Sequence, residues 1–81
     1  MNESDIRNTA LKVLKTIAPE IGDDDIRGEK TLRSQVDLDS MDWLNFLLGL
    51  NRELGVDIPE ADYAKLVTMN DVVAYLKAKL S

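Results

Sequence analysis

The sequence predicts an all-α fold, and three observations carry that prediction. Apolar residues recur at helical spacing in three stretches of the chain. Each stretch opens beside a residue suited to cap a helix, and the first two close on Pro or Gly. No stretch alternates apolar and polar residues as a half-buried strand does. The expected architecture is a small four-helix bundle within a single domain over residues 1–81. It has three longer helices, one short helix, and a long loop between the first two longer ones.

The first helix is expected from Ser4 to Ala18. Ile6, Ala10, Val13, Leu14 and Ile17 fall on one face, with Arg7, Lys12 and Lys15 on others. Asn2 is placed to cap it, and Asp5 lies near the positive end of the helix dipole. Pro19 and Gly22 stop it. Residues 19–38 show no sustained period, which predicts a loop of about twenty residues where roughly 4–6 is usual. Ile26 and Leu32 are its expected buried anchors.

The central helix is expected from about Ser40 to Leu54, with Asp39 as N-cap and Asp42 in its first turn. Trp43, Leu44, Leu47, Leu50 and Leu54 form one face, widened by Met41, Phe46 and Leu48. Asp42, Asn45, Gly49, Arg52 and Glu53 lie opposite. So wide an apolar arc suits a helix packed on more than one side. Asn51 falls inside that arc, so its amide needs a hydrogen-bond partner if buried. Gly55 ends the helix as a left-handed cap. Val56-Asp57-Ile58-Pro59 reads as extended, and Pro59 starts a short helix through about Lys65. The last helix begins after Thr68, with Asp71 completing a variant of the capping box, and Val72, Val73, Leu76 and Leu80 form its apolar face.

Composition narrows the chemistry. The 81 residues include 10 Lys or Arg and 15 Asp or Glu, for a formal charge of −5, and neither His nor Cys. No Ser-His-Asp or Cys-His nucleophile can be built from this set, nor a Cys/His zinc site or a disulfide. The acidity argues against nucleic acid as a partner. No run reaches the roughly 18 apolar residues of a membrane span. Met1-Asn2-Glu3-Ser4-Asp5 is too acidic for a secretory signal, so a cytoplasmic location is expected. A domain this small should be stable by only about 5 kcal/mol.

Asp23-Asp24-Asp25 invites comparison with a calcium loop, but that template demands Asp or Asn at Arg27 and Glu at Ser34. A solvated acidic turn is the better reading, and no metal is expected. Gly28-Glu29-Lys30-Thr31 lacks the spacing of a phosphate loop. The aromatics Trp43, Phe46, Tyr63 and Tyr75 suit core packing. With only Arg33 and Arg52 as cations between Thr31 and Pro59, a base-stacking surface is not expected. Ser40 opens the central helix after the long loop. Without a neighbouring base its hydroxyl is a weak nucleophile, so it is not read as catalytic. Two readings remain: a first-turn serine assisting the cap, and an acceptor modified by another enzyme, where the positive helix end favours a phosphate.

Leu38-Asp39-Ser40-Met41-Asp42 resembles the Asp-Ser-Leu attachment motif of acyl carrier proteins. The surrounding order resembles that family over essentially the whole chain. It comprises a first helix, a long pinned loop, an apolar helix, Ile58-Pro59-Glu60, a short helix, Thr68 and a final helix. The resemblance implies that Ser40 carries covalent 4′-phosphopantetheine, transferred from coenzyme A by a separate Mg²⁺-dependent phosphopantetheinyl transferase. Asp39 and Met41 would flank the attachment point, and Asp39 would help engage the transferase. Asp42, Asn45, Arg52 and Glu53 would face partner enzymes that load and process acyl groups. Leu44, Phe46, Leu47, Tyr63 and Leu66, together with Met41, would line an acyl pocket.

It implies a monomeric, non-enzymatic carrier of thioesters in fatty-acid, specialised lipid or polyketide biosynthesis. Departures from the family pattern point to a specialised carrier. Asp37 stands where Gly is usual, and Asp tolerates unusual backbone angles better than most residues. Met41 stands for Leu. Asn45, Asn51 and Arg52 stand where ordinary fatty-acid carriers have Glu, and Tyr63 where a small residue is common. A free-standing peptidyl or aminoacyl carrier is the alternative with the same attachment. A helical adaptor without a prosthetic group, in which Ser40 only caps a helix, is the alternative without it.

Overall fold

A computed structural model describes residues 1–22 and 25–80. The chain forms α1 (Glu3–Ile17), α2 (Leu32–Gln35), α3 (Ser40–Leu54), a 3₁₀ helix (Glu60–Lys65) and α4 (Met69–Leu80). Among the described residues there is no strand, only one antiparallel bridge between Thr31 and Thr68.

The caps follow from local sequence. Asn2 accepts the Asp5 N–H at 2.8 Å and starts α1. Asp39 does the same for α3, accepting the Asp42 N–H at 2.8 Å. Thr68 and Asp71 exchange side-chain-to-backbone bonds of 3.0 and 3.1 Å, so the expected reciprocal box opens α4. Gly55 closes α3 at φ 66°, the left-handed conformation that costs glycine nothing. The Asn51 amide donates to the Val56 carbonyl (2.8 Å) and the Asp57 carboxylate (3.1 Å), which satisfies it and ties down the chain leaving α3.

α3 and α4 both pack on α1. The core between them holds Ile6, Ala10 and Leu14 from α1, Phe46 and Leu50 from α3, and Met69, Val72 and Leu76 from α4, all fully buried. Each such large side chain contributes about 1.5–3 kcal/mol relative to exposure. Met69, immediately after the Thr68 cap, is a core residue that periodicity alone did not single out.

Four expectations are corrected. The region between α1 and α3 contains the short helix α2. Leu32 and Val36, one turn apart, are both buried, and tertiary contact supplies what a four-residue period cannot show. Gly49 does not lie on an open face: a Cβ there would come within 2.5 Å of Val13 Cγ1, so its bareness lets α3 approach α1 closely. Met41 and Leu48 do not join the buried arc; they are 64% and 49% exposed, because the packed face of α3 is narrower than its apolar composition. Pro59 is the cap rather than the first residue of the short helix, and that helix is 3₁₀.

The anchors of the long connection do include Ile26 and Leu32, both buried, with Val36 and Leu38 beside them. Gln35 fastens the connection further. Its Oε1 accepts the Arg27 N–H at 2.7 Å, and its Nε2 donates to the Arg27 and Lys30 carbonyls at 2.9 and 3.0 Å. Arg7 on α1 donates to the Ile26 carbonyl at 2.9 Å. Of the acidic run, positions 23 and 24 lie outside the described residues. Asp25 turns back to accept the Gly22 N–H at 2.7 Å.

Candidate functional site

Ser40 is the first residue of α3 and is exposed. The capping bond belongs to Asp39, one residue earlier. The Ser40 hydroxyl makes no hydrogen bond to any other described residue. A serine whose only task was the cap would be spending its oxygen on the Asp42 or Trp43 N–H; this one leaves it to solvent. Asp37, in the turn before it, does not need a left-handed backbone, since Gly55 is the only described residue at positive φ.

Ser40 opens onto a cleft of about 380 Å³, lined also by Arg33, Trp43, Leu44, Glu60 and Tyr63. α2 supplies the arginine, α3 the serine, tryptophan and leucine, and the 3₁₀ helix the glutamate and tyrosine. Trp43 is held by Phe46 beneath it, with ring centroids 5.4 Å apart and planes tilted by 36°. A second cleft of about 430 Å³ is lined by Leu47, Leu48 and Asn51 of α3 and by Ile58 and Pro59. Tyr63 lines both.

The expected pocket residues therefore divide. Leu44, Leu47 and Tyr63 line the clefts. Phe46 is fully buried and Leu66 nearly so, and both belong to the core beneath rather than to either lining. Met41 faces solvent. Asn45, Arg52 and Glu53 are exposed along α3, while Asp42 is half-buried with its N–H engaged by Asp39. Arg33 and Glu60 were absent from the sequence-derived site. Their positions flank Ser40 only once α2 and the 3₁₀ helix fold against α3.

The 3₁₀ helix is fixed to α4 by a 2.6 Å hydrogen bond from the Tyr75 hydroxyl to the Asp62 carboxylate. That bond, with the Lys65 ammonium at 3.3 Å, holds Asp62 below the usual carboxylate range. The same bond, with burial, pushes the Tyr75 hydroxyl up to about 12.

An exposed serine thus opens a helix beside a cleft bordered by a short helix. Residues 4–76 match the family described as "Phosphopantetheine attachment site". The chain is 34% identical over 80 residues to an acyl carrier protein of Lactobacillus acidophilus, covering 96% of each chain. It is 31% identical over 72 residues to one from an Exiguobacterium species, covering 86% of this chain and 91% of that one. It is also 31% identical over 71 residues to one from Thermotoga maritima, covering 85% of this chain and 88% of that one. The chain belongs to the acyl carrier protein family, whose prosthetic group is covalently attached 4′-phosphopantetheine. The residues present fit such a group: an unengaged hydroxyl, an open apolar and aromatic cleft beside it, and a guanidinium at its edge. Among the described residues, no helix is long and apolar enough to cross a membrane.

Proposed function

We propose that Ser40 is the attachment residue, and that the chain presents acyl groups to partner enzymes without catalysing a reaction itself. The observation that carries this reading is the division of labour between Asp39, which caps α3, and Ser40, which leaves its hydroxyl unengaged and exposed. When attached, the arm supplies a terminal thiol that holds acyl groups as thioesters, a chemistry the cysteine-free chain lacks. Asp39 and Met41 flank the attachment point for the transferase. Asp42, Asn45, Arg52 and Glu53 form the side of α3 offered to loading and processing enzymes. The protein acts as a cytoplasmic monomer, serving lipid or polyketide synthesis.

The cleft at Ser40 is edged by Arg33 and Glu60, which supports short or polar cargo. Glu60 also favours a second reading, an aminoacyl carrier, because a carboxylate in the cleft suits an α-ammonium group. Loading by an acyl-CoA or acid ligase, rather than by an adenylation enzyme, distinguishes the two. The attachment itself is tested by intact mass after incubation with coenzyme A and a promiscuous phosphopantetheinyl transferase. Wild type should gain the pantetheine mass and Ser40→Ala should not, with stability changed by less than about 0.5 kcal/mol because Ser40 makes no bond in the fold. A mass gain in Ser40→Ala moves the site elsewhere.

A further inference from the structure

We propose that Arg33 is a positioning residue for the prosthetic arm: its guanidinium binds the phosphodiester on Ser40 and directs the arm into the Trp43–Tyr63 cleft. The proposal rests on the reading of Ser40 as the attachment residue. Three observations carry it. First, Arg33 and Ser40 line one cleft, and Arg33 is the only cation in that lining. Asp39 precedes Ser40 and Asp42 lies two residues after it, and Glu60 lines the same cleft. A phosphodiester there adds one more negative charge to an acidic neighbourhood, and Arg33 supplies the countercharge.

Second, the side chain is committed to nothing else. Its Nε–H reaches the Leu38 carbonyl at 3.4 Å, two residues before Ser40, and it forms no ion pair with any described residue. The terminal amino groups are free to take two phosphate oxygens in the planar fork that arginine offers and lysine does not.

Third, the backbone presenting Arg33 is pinned on both sides. Leu32 is fully buried and donates its N–H to the Val67 carbonyl at 2.9 Å, and Gln35 holds the preceding loop through its amide. The charge therefore sits on a fixed mount rather than a wandering loop.

The test uses the full chain, loaded with coenzyme A and a transferase, and reads the arm rather than any activity. In the loaded wild type, the Arg33 Nε–Hε resonance should shift relative to the unloaded chain, and the pantetheine methyl groups should show NOEs to the Trp43 and Tyr63 rings. In Arg33→Ala those NOEs should vanish and the ³¹P line should narrow as the arm swings free. Arg33→Lys should restore part of both, and 1 M salt should weaken the contact in wild type. Loading is checked first by mass. Gain of mass by Ser40→Ala overturns the attachment reading and this proposal with it. Loading at Ser40 without NOEs to either ring, or with NOEs and ³¹P line unchanged in Arg33→Ala, overturns this proposal alone.

Discussion

The Tyr75 hydroxyl donates a 2.6 Å hydrogen bond to the Asp62 carboxylate, and this bond joins the roof of the Ser40 cleft to α4. Tyr75 is itself steadied by the Lys79 ammonium, 5.5 Å from its ring centroid. The 3₁₀ helix buries none of its own six residues fully, so such side-chain ties account for much of its attachment to the rest of the fold.

Tyr75→Phe should therefore lower the melting temperature at pH 7 and loosen the 3₁₀ helix, read as faster amide exchange at residues 60–65. The pH dependence follows from the two shifts. Tyr75 is raised from its ordinary value of 10.0 to about 12, so its contribution is complete below pH 10 and is lost as the pH climbs towards 12. Asp62 is lowered from 3.8, so its contribution is complete above that value and is lost as acid protonates it in the fold. The difference between wild type and Tyr75→Phe should be widest between these limits and close at both ends. A difference that stays constant from pH 7 to 12 would contradict the latch.

Gly49→Ala tests the approach of α3 to α1. Alanine is favoured over glycine in a helix by about 1 kcal/mol, but its Cβ would fall 2.5 Å from Val13 Cγ1, on a buried side chain that has little room to yield. Overpacking of this kind costs about 1–3 kcal/mol, so the net change should be destabilising by roughly 1–2 kcal/mol in urea unfolding. Combined with Val13→Ala, the pair should cost less than the sum of the two single changes. Additive costs would mean that the close approach carries no strain.

The contrast between Gly49 and Gly55 illustrates what the sequence reveals. Gly55 was legible because a left-handed cap is a local requirement, written beside the helix it ends. Asn2, Asp39 and the Thr68–Asp71 box were legible for the same reason, and α3 begins and ends where its caps predict. Gly49 was not, because its reason is Val13 on another helix. α2 escaped notice because Leu32 and Val36 give one turn of spacing and no period. At the site, Ser40 was marked by its motif. Arg33 from α2, and Glu60 and Tyr63 from the 3₁₀ helix, come from two segments that only the fold brings to α3, and of these only Tyr63 was anticipated.

Arg52 tests partner choice. It is exposed in the last turn of α3, and Met41, Asn45 and Leu48 precede it at helical spacing along the outer side. Of the side proposed to face partners, Asp42 and Glu53 keep a carboxylate, while Asn45 and Arg52 do not, and the Asn51 amide is occupied by Val56 and Asp57. A partner whose docking surface is basic should therefore bind poorly. Arg52→Glu replaces a repulsive contact with an attractive one. At about 0.2–1 kcal/mol for each exposed pair, binding to a housekeeping ketosynthase should tighten roughly two- to thirtyfold. Surface plasmon resonance of the loaded proteins measures this, and equal affinity would remove Arg52 from the docking surface.

In the proposed carrier, Tyr63 is expected to limit the depth available to cargo. It lines both the cleft at Ser40 and the cleft bordered by Leu47 and Ile58. A short acyl group needs only the first; a long one must pass the ring. Tyr63→Ala should join the two clefts. Each methylene taken from water is worth about 0.8 kcal/mol, so two or three methylenes lodged past position 63 shift the sheltered population roughly fifteen- to sixtyfold. Hydrolysis of a long-chain thioester should slow accordingly in Tyr63→Ala, while that of a short chain changes little. Tyr63→Phe, which keeps the ring, should behave as wild type. Chemical-shift changes at Leu47 and Ile58 on acylation report whether the chain has entered the second cleft. Entry by a long chain in wild type, with the Tyr63 ring resonances unmoved, would show that the tyrosine is no barrier.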